Sequence, residues 1–284
     1  MIDEQRALFV ALVRGPFRRH LMELRQRLIE GTSLTDIAAD HIDGLDTVEA
    51  ASLIGQWEGA GERLLTWLDD DYPNQLRDVH DFPPVIFVRG QLRQNDRGVA
   101  VVGSRSIDQG GASAADAISD LLVERSLTVV SGLAEGTDTV AHQAALDTGG
   151  RTVAVIGTGI DRTYPAKNRA LKMAIEKSGL VLSQFWPGEA GRRYTFPMRN
   201  AVMSAYALAT IIVTATEESG SRHQARQAIS HGRPLVLSAS VATGTSWGRR
   251  YAQDEAAMVR VAGSPEEAVT AALEMIGELS GSLG

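Results

Sequence analysis

Cysteine is absent from the 284 residues. That removes disulfides, thiolate zinc sites and a cysteine nucleophile together. No run of 18 apolar residues occurs, so no segment reads as a membrane-spanning helix. The polar start, Met1 to Arg6, lacks the apolar stretch of a secretory signal. These absences predict a soluble, cytoplasmic chain with no membrane partner. Lysine is nearly missing: Lys167, Lys172 and Lys177 stand alone among 28 basic residues, the rest being arginine. Arginine is the better bidentate phosphate ligand, although a plain compositional bias explains the same count. The net charge of −7 argues against a basic body with broad affinity for nucleic acid, and leaves room for a local basic groove.

What is present is a globular composition, 44% hydrophobic and 22% charged, enough for a real core. Residues 1–70 read as a small helical domain. Leu8, Leu12, Leu21, Leu24, Leu28 and Ile29 recur at helical spacing, with breaks at Gly15-Pro16, Gly31-Thr32-Ser33 and His41-Ile42-Asp43-Gly44. Residues 71–97 read as a connector, stiffened by Tyr72-Pro73 and Pro83-Pro84, with an edge strand at Val85–Val88. From residue 98 to 284 strands and helices alternate. Apolar, β-branched runs at Val99–Val102, Leu127–Val130, Thr152–Ile156, Leu180–Leu182, Ala209–Thr214 and Pro234–Leu237 suit strands buried on both faces. Helical stretches such as Ala114–Arg125 and Val140–Thr148 separate them. This alternation predicts a doubly wound, mostly parallel α/β sheet.

In such a sheet, ligands bind beyond the carboxyl ends of the strands. The strand exits read Gly103-Ser104-Arg105, then Ser131-Gly132 with Gly136 following, then Gly157-Thr158-Gly159, and finally Ser219-Gly220-Ser221. Small residues let backbone approach a ligand, and free N–H groups at a helix start attract phosphate. Several such loops on one edge predict a phosphate-lined cleft. Arg105, Lys167, Arg169, Arg192, Arg193 and Arg199 are near enough in sequence to supply charge. Tyr164, Phe185, Trp186 and Phe196 offer either a stacking face for bases or packing beneath the loops.

Other chemistries lack their motifs. No Gly-x-Gly-x-x-Gly opens the first strand exit, and Gly157-Thr158-Gly159 meets Arg162 where a third glycine belongs, so no dinucleotide cofactor is expected. No Gly-Lys-Ser/Thr exists for a nucleotide P-loop, and no Gly-x-Ser-x-Gly elbow for a hydrolase. The six histidines show no metal-binding spacing. Ser131, Asp138 and His142 could be drawn as a triad, but Thr137 or Asp138 suits a helix N-cap better. No catalytic residue, metal or cofactor is predicted.

The loops also spell a family. VAVVGSRSIDQGG (99–111), LTVVSGLAEGTDTVAHQAAL (127–146), TVAVIGTGIDRTYPAKN (152–168) and FPMRN (196–200), with Tyr72-Pro73 and FPPVIFVRG (82–90) upstream, resemble the DNA-processing protein A family, also called Smf. The resemblance runs from about residue 70 to about residue 260. It implies an extended Rossmann-like fold behind a small N-terminal helical domain of SAM or HhH type. It implies binding of single-stranded DNA, loading of the RecA recombinase in natural transformation, a homodimer and no enzymatic activity. By motif it points to Gly103, Ser104, Arg105, Ser131, Gly132, Gly136, Asn168, Arg199 and Asn200. The family's Phe-Pro-Arg-Arg-Asn-Arg reads Phe196-Pro197-Met198-Arg199-Asn200-Ala201 here. Its Gly-Ser-Leu-Ile-Thr-Ala reads Gly220-Ser221-Arg222-His223-Gln224-Ala225. The winged-helix module of many members is not expected in a chain ending at 284. Two other readings stay open: a nucleotide sensor or glycosidic-bond hydrolase on the same kind of fold, and an interaction scaffold with a vestigial cleft.

Overall fold

A computed structural model of the chain describes residues 4–41, 44–254 and 258–281. Met1–Asp3 of the polar start, and Ile42-Asp43 within the expected break, lie outside the described residues. The first part of the chain folds as α1 (Glu4–Arg14), α2 (Leu21–Ile29), α3 (Leu34–Ala39) and α4 (Thr47–Gly59), with a 3-10 turn at Pro16–Arg19. Gly15-Pro16 ends α1, because proline lacks the N–H that would continue the helix. Ser33 caps α3 by accepting from the Asp36 amide, and Asp46 caps α4 by accepting from Glu49. Both are ordinary N-cap residues.

Residues 63–66 depart from the all-helical expectation for 1–70. They form β1 (Arg63–Thr66), paired antiparallel with β2 (Val85–Gly90) across α5 (Asn74–Arg77). Four residues are too few to display a period, and only the pairing with β2 makes this strand.

Beyond β2 the chain alternates as expected. The elements are β3 (Gly98–Val102), α6 (Gln109–Glu124), β4 (Thr128–Ser131), α7 (Thr137–Asp147), β5 (Thr152–Val155), α8 (Arg169–Ser178), β6 (Leu180–Ser183), α9 (Thr195–Tyr206) and β7 (Ala209–Ile212). They continue with α10 (Ser221–Ser230), β8 (Leu235–Ser238), α11 (Ala239–Gly244), α12 (Ser246–Ala252), β9 (Val259–Ala262) and α13 (Pro265–Gly281). The sheet has nine strands in the order β1-β2-β6-β5-β4-β3-β7-β8-β9. β2 pairs antiparallel with β6, and every pair from β6 to β9 is parallel.

Alternate residues explain why these strands read as unbroken apolar runs. Val99 and Val101 enter a core with α6, α7 and α13, while Ala100 and Val102 face a second core on the other side. Both faces are covered, so no polar alternation survives. The second core runs on into the N-terminal helices. There Trp57 meets Phe87 at 5.2 Å and stacks on Trp186 at 5.5 Å. A smaller core joins α10, α11 and α12 over β7 and β8. The sheet is Rossmann-like and doubly wound. Its topological switch lies at β3, whose chain successor β4 is on one side and whose other neighbour, β7, comes much later in sequence.

Candidate functional site

A cleft of about 410 Å³ opens at that switch point, beyond the ends of β3 and β7, where such sheets place ligands. Gly103, Ser104, Arg105 and Ser106 form one wall, and Glu218, Ser219, Gly220 and Ser221 the facing one. The first turns of α9 close the floor with Phe196, Arg199 and Asn200. The amides of Arg105, Ser106 and Gly220 have no acceptor among the described residues. Those of Gly132 and Ala134, by contrast, are taken by the Asp138 carboxylate at 3.1 and 3.2 Å.

A second hollow of about 140 Å³ adjoins the first, lined by Gly132, Gly157, Tyr164 and Pro165. Arg105, Phe196 and Arg199 separate the two and line both. The Arg105 guanidinium lies over the Phe196 ring, 5.3 Å from its centroid, in a cation–π contact. Tyr164 tilts against the same ring at 5.3 Å and is half exposed. Arg105 itself is exposed.

Arg199 is placed differently from an exposed cation reaching into a cleft. It is 6% exposed, and its Nη1 donates to the Val155 carbonyl at 2.9 Å. A Cβ on Gly132 would sit 1.5 Å from that Nη1, so glycine is what leaves room for the guanidinium. Its Nε is buried without a hydrogen-bond partner. Burial lowers the Arg199 pKa, with Arg105 adding repulsion and Asp138 opposing both. Burial raises the Asp138 pKa, while Arg199, the two loop amides and the Ser131 hydroxyl pull it back. The floor of the cleft therefore holds a buried arginine beside a buried aspartate, out of water, where electrostatic interactions are stronger.

Arg169, Arg192 and Arg193, expected to supply charge, line neither hollow, and nor do six of the sixteen residues expected to bind phosphate. Ser131 is fully buried and donates to the Val101 carbonyl. Asn168 donates from Nδ2 to the carbonyls of Leu133 and Ala134 and to Thr139, bracing the turn before α7. Gly136, at φ +74°, backs onto the carbonyls of Ser104 and Arg105; glycine adopts that conformation without strain. Thr158 turns its hydroxyl to the Gly159 and Arg162 carbonyls. Gly159 packs against the Trp186 carbonyl. Lys167 is exposed and paired with Glu135 at 3.1 Å. Small and amide residues brace loops as readily as they bind ligands, which is why sequence alone did not separate these roles. The ten that do line the hollows are Gly103, Ser104, Arg105, Gly132, Gly157, Arg199, Asn200, Ser219, Gly220 and Ser221.

The drawn triad does not assemble. His142 has its Nδ1 2.6 Å from Thr152 Oγ1, and neither Ser131 nor Asp138 is its hydrogen-bond partner. Nor does Thr137 or Asp138 cap α7: Gly136 occupies that position, and Asp138 instead caps the preceding loop. Phe185 is buried and Trp186 stacks on Trp57, so both pack beneath the loops. Ala134, Pro197 and Thr216 complete the cleft wall, and nothing in their residue types could have marked them. His223, next to the Arg222 that departs from the family pattern, also lines the mouth.

The model of the family described as DNA recombination-mediator protein A matches residues 63–269. The DNA processing protein DprA of Streptococcus pneumoniae is 39% identical over 198 residues, covering 69% of this chain and 70% of that protein. Several other curated relatives are matched over only about half of their own length. An X-ray structure of DNA processing protein A from S. pneumoniae superposes with a TM-score of 0.70 at 30% identity, over 94% of this chain and 92% of that one. DNA processing protein A from Helicobacter pylori, described for its single-stranded DNA binding mode, superposes with a TM-score of 0.63 over 78% of this chain and 96% of its own. At 21% identity that second likeness speaks for the fold.

Proposed function

Because the chain belongs to the DNA recombination-mediator protein A family, we propose that its cleft binds single-stranded DNA and that the bound protein loads RecA recombinase during DNA uptake, natural transformation and recombination. One observation carries the reading. An exposed arginine, Arg105, stands over Phe196 between two adjoining hollows, next to backbone amides with no acceptor among the described residues.

Phosphates are met by Arg105, by the Arg105 and Ser106 amides, and by the Gly220 amide at the start of α10. Helix starts and free amides favour anions for the same electrostatic reason. The half-exposed Tyr164 face offers a base a stacking partner, and stacking tolerates any sequence. Arg199 supplies fixed positive potential from below rather than a mobile contact. In this reading residues 98–284 hold the DNA, and the helices of 1–70 are anchored to them through 71–97. The body is acidic and the cleft compact, so the protein holds a short stretch and leaves acidic surface for RecA, acting as a homodimer.

No turnover is assigned. Ser131 is committed to a carbonyl, His142 is sealed in the core, and the Asp138 carboxylate is held by two amides. The test is fluorescence polarisation with labelled oligothymidylate, the matching duplex and free nucleotides. The expected order is single strand over duplex, with weak binding of nucleotides. Affinity should fall with salt, at a log–log slope of about −0.7 per phosphate contacted. Equal affinity for duplex would reject the reading. Release of free base that tracks protein concentration would favour the nucleotide hydrolase instead.

A further inference from the structure

We propose that DNA leaving the cleft runs over a second basic site, an arginine face formed by α10 and α12, that binds its sugar–phosphate backbone. This rests on the single-stranded-DNA reading of the cleft. Arg222 and Arg226 lie four residues apart on α10 and are both exposed. That spacing puts them on one face of the helix. Arg249 and Arg250, on α12, are exposed as well.

The two helices sit over one core and meet at a single loop. Ala225 and Ala228 of α10 share a buried cluster with Trp247 of α12. Glu217, from the loop after β7, accepts hydrogen bonds from the Ser246 amide and hydroxyl at the start of α12. Both Arg222 and Arg249 act electrostatically on that carboxylate, so they flank one point. His223, between Arg222 and Arg226, lines the cleft, which makes the face continuous with it.

The charge balance favours an anion. None of the four arginines forms an ion pair with a carboxylate among the described residues, whereas Arg233 and Arg260 nearby in sequence do. Glu217 and Glu218 are the acidic groups between this face and the cleft. Glu217 keeps its charge, since the Ser246 bonds lower its pKa, so it offsets part of the charge of Arg222 and Arg249. Set against those two carboxylates, the four arginines leave this face net positive on a body of net charge −7. A polyanion that also fills the cleft satisfies both features at once. An acidic protein would satisfy only the first.

The experiment compares a short oligothymidylate that only fills the cleft with one several times longer. Binding of each is followed against salt for the wild-type chain, for Arg222→Ala/Arg226→Ala/Arg249→Ala, for the same three positions changed to Lys, and for Arg105→Ala. For the long strand, the triple alanine variant should lose about tenfold in affinity and about 2 in salt slope, one step of about 0.7 for each phosphate contact removed. Its affinity for the short strand and its melting temperature should not change. The lysine variant should keep the slope, because the charge remains. Arg105→Ala should weaken both strands. An unchanged long-strand slope in the alanine variant, with Arg105→Ala still weakening both, would overturn the arginine face and leave the cleft standing. The same unchanged slope, with stimulation of the recombinase lost, would give the face to an acidic protein and overturn the proposal equally. No binding of either strand by the wild type would overturn both readings.

Discussion

Gly132→Ala is the sharpest perturbation of the cleft, because a single methyl group meets a buried cation. The new Cβ would lie 1.5 Å from Arg199 Nη1, 2.3 Å from its Cζ and 2.7 Å from its Nη2. No atom can stay there, so the guanidinium must leave its seat. It then loses the 2.9 Å hydrogen bond to Val155, a charged bond whose loss costs about 1.5–3 kcal/mol. Asp138 also loses the cation that moderates its raised pKa, so it takes up a proton more readily. The arginine is a flexible chain and the adjoining cleft of about 410 Å³ can receive its tip, so the protein should still fold. At about 2–4 °C per kcal/mol for a chain near this size, the melting temperature should fall by roughly 3–12 °C. The displaced cation also fills space the strand needs, so oligonucleotide affinity should fall at least about tenfold, or about 1.4 kcal/mol. Calorimetry and polarisation binding read both effects. Combining Gly132→Ala with Arg199→Ala should cost little more than either alone, since both remove the same contact. A variant that melts and binds like the wild type would show that Arg199 is not held against Gly132.

Arg105→Ala should weaken single-strand binding by about 1.5–3 kcal/mol with the melting temperature unchanged, because the side chain is exposed; normal binding would remove Arg105 from the site. Stability should fall on acidification partly through His142, whose pKa burial pushes down to about 3. The unfolded chain takes up that proton below about 6.5 and the folded one does not. The contribution is therefore complete above pH 6.5 and is lost towards pH 3, at up to about 1.4 kcal/mol per pH unit; His142→Leu should flatten the fall in melting temperature between pH 7 and 5, and an unchanged slope would refute the assignment. In a filament-assembly time course with the host's own recombinase, the protein should shorten the lag on strands covered by a competing single-strand-binding protein, and Arg105→Ala should not. An unchanged lag at saturating protein would reject the loading role while leaving DNA binding intact.

The sheet was legible because strands buried on both faces cannot hide. Val99–Val102 is an unbroken run of apolar core residues, and Ala209–Ile212 is interrupted only by the buried, β-branched Thr210. β1 was not legible: Arg63–Thr66 is a strand only because β2 lies beside it. The cleft's position followed from topology once the strand order was known, and the glycine loops at Gly103, Gly132 and Gly157 marked three strand exits. The side chains' directions did not follow. Ser131, the last residue of β4, and Ser219, in the loop after β7, are the same residue type, yet the first turns back to Val101 and the second lines the cleft. Arg199 and Arg105 look alike in sequence, and only Gly132 and the Val155 carbonyl make one a buried fixture and the other an exposed contact.

The frame that holds the cleft is also spread along the chain in a way no local pattern reveals. α9 begins at the cleft with Phe196, Arg199 and Asn200, and α10 begins there with Ser221. At their far ends the helices are tied to each other. His231, just past α10 and with its side chain fully buried, has Nδ1 3.1 Å from Ser204 Oγ on α9 and Nε2 2.7 Å from Asp81 Oδ1. Asp81 precedes Phe82, whose carbonyl accepts from Arg25 Nε of α2 at 2.6 Å. Burial works against the Asp81 carboxylate, but the bond from His231 and the charges of His231, His80 and Arg25 hold its pKa below the usual carboxylate range. Asp81 is therefore ionised at neutral pH, and the stability that its lowered pKa contributes is lost as acid protonates it. This clasp fixes the spacing of the two helices at the ends away from the cleft, while Arg199 and Ser221 stand at the ends that face it. Through Arg25 the same bonds reach α2, which ties the N-terminal helices to the clasp as well as to the core beneath them.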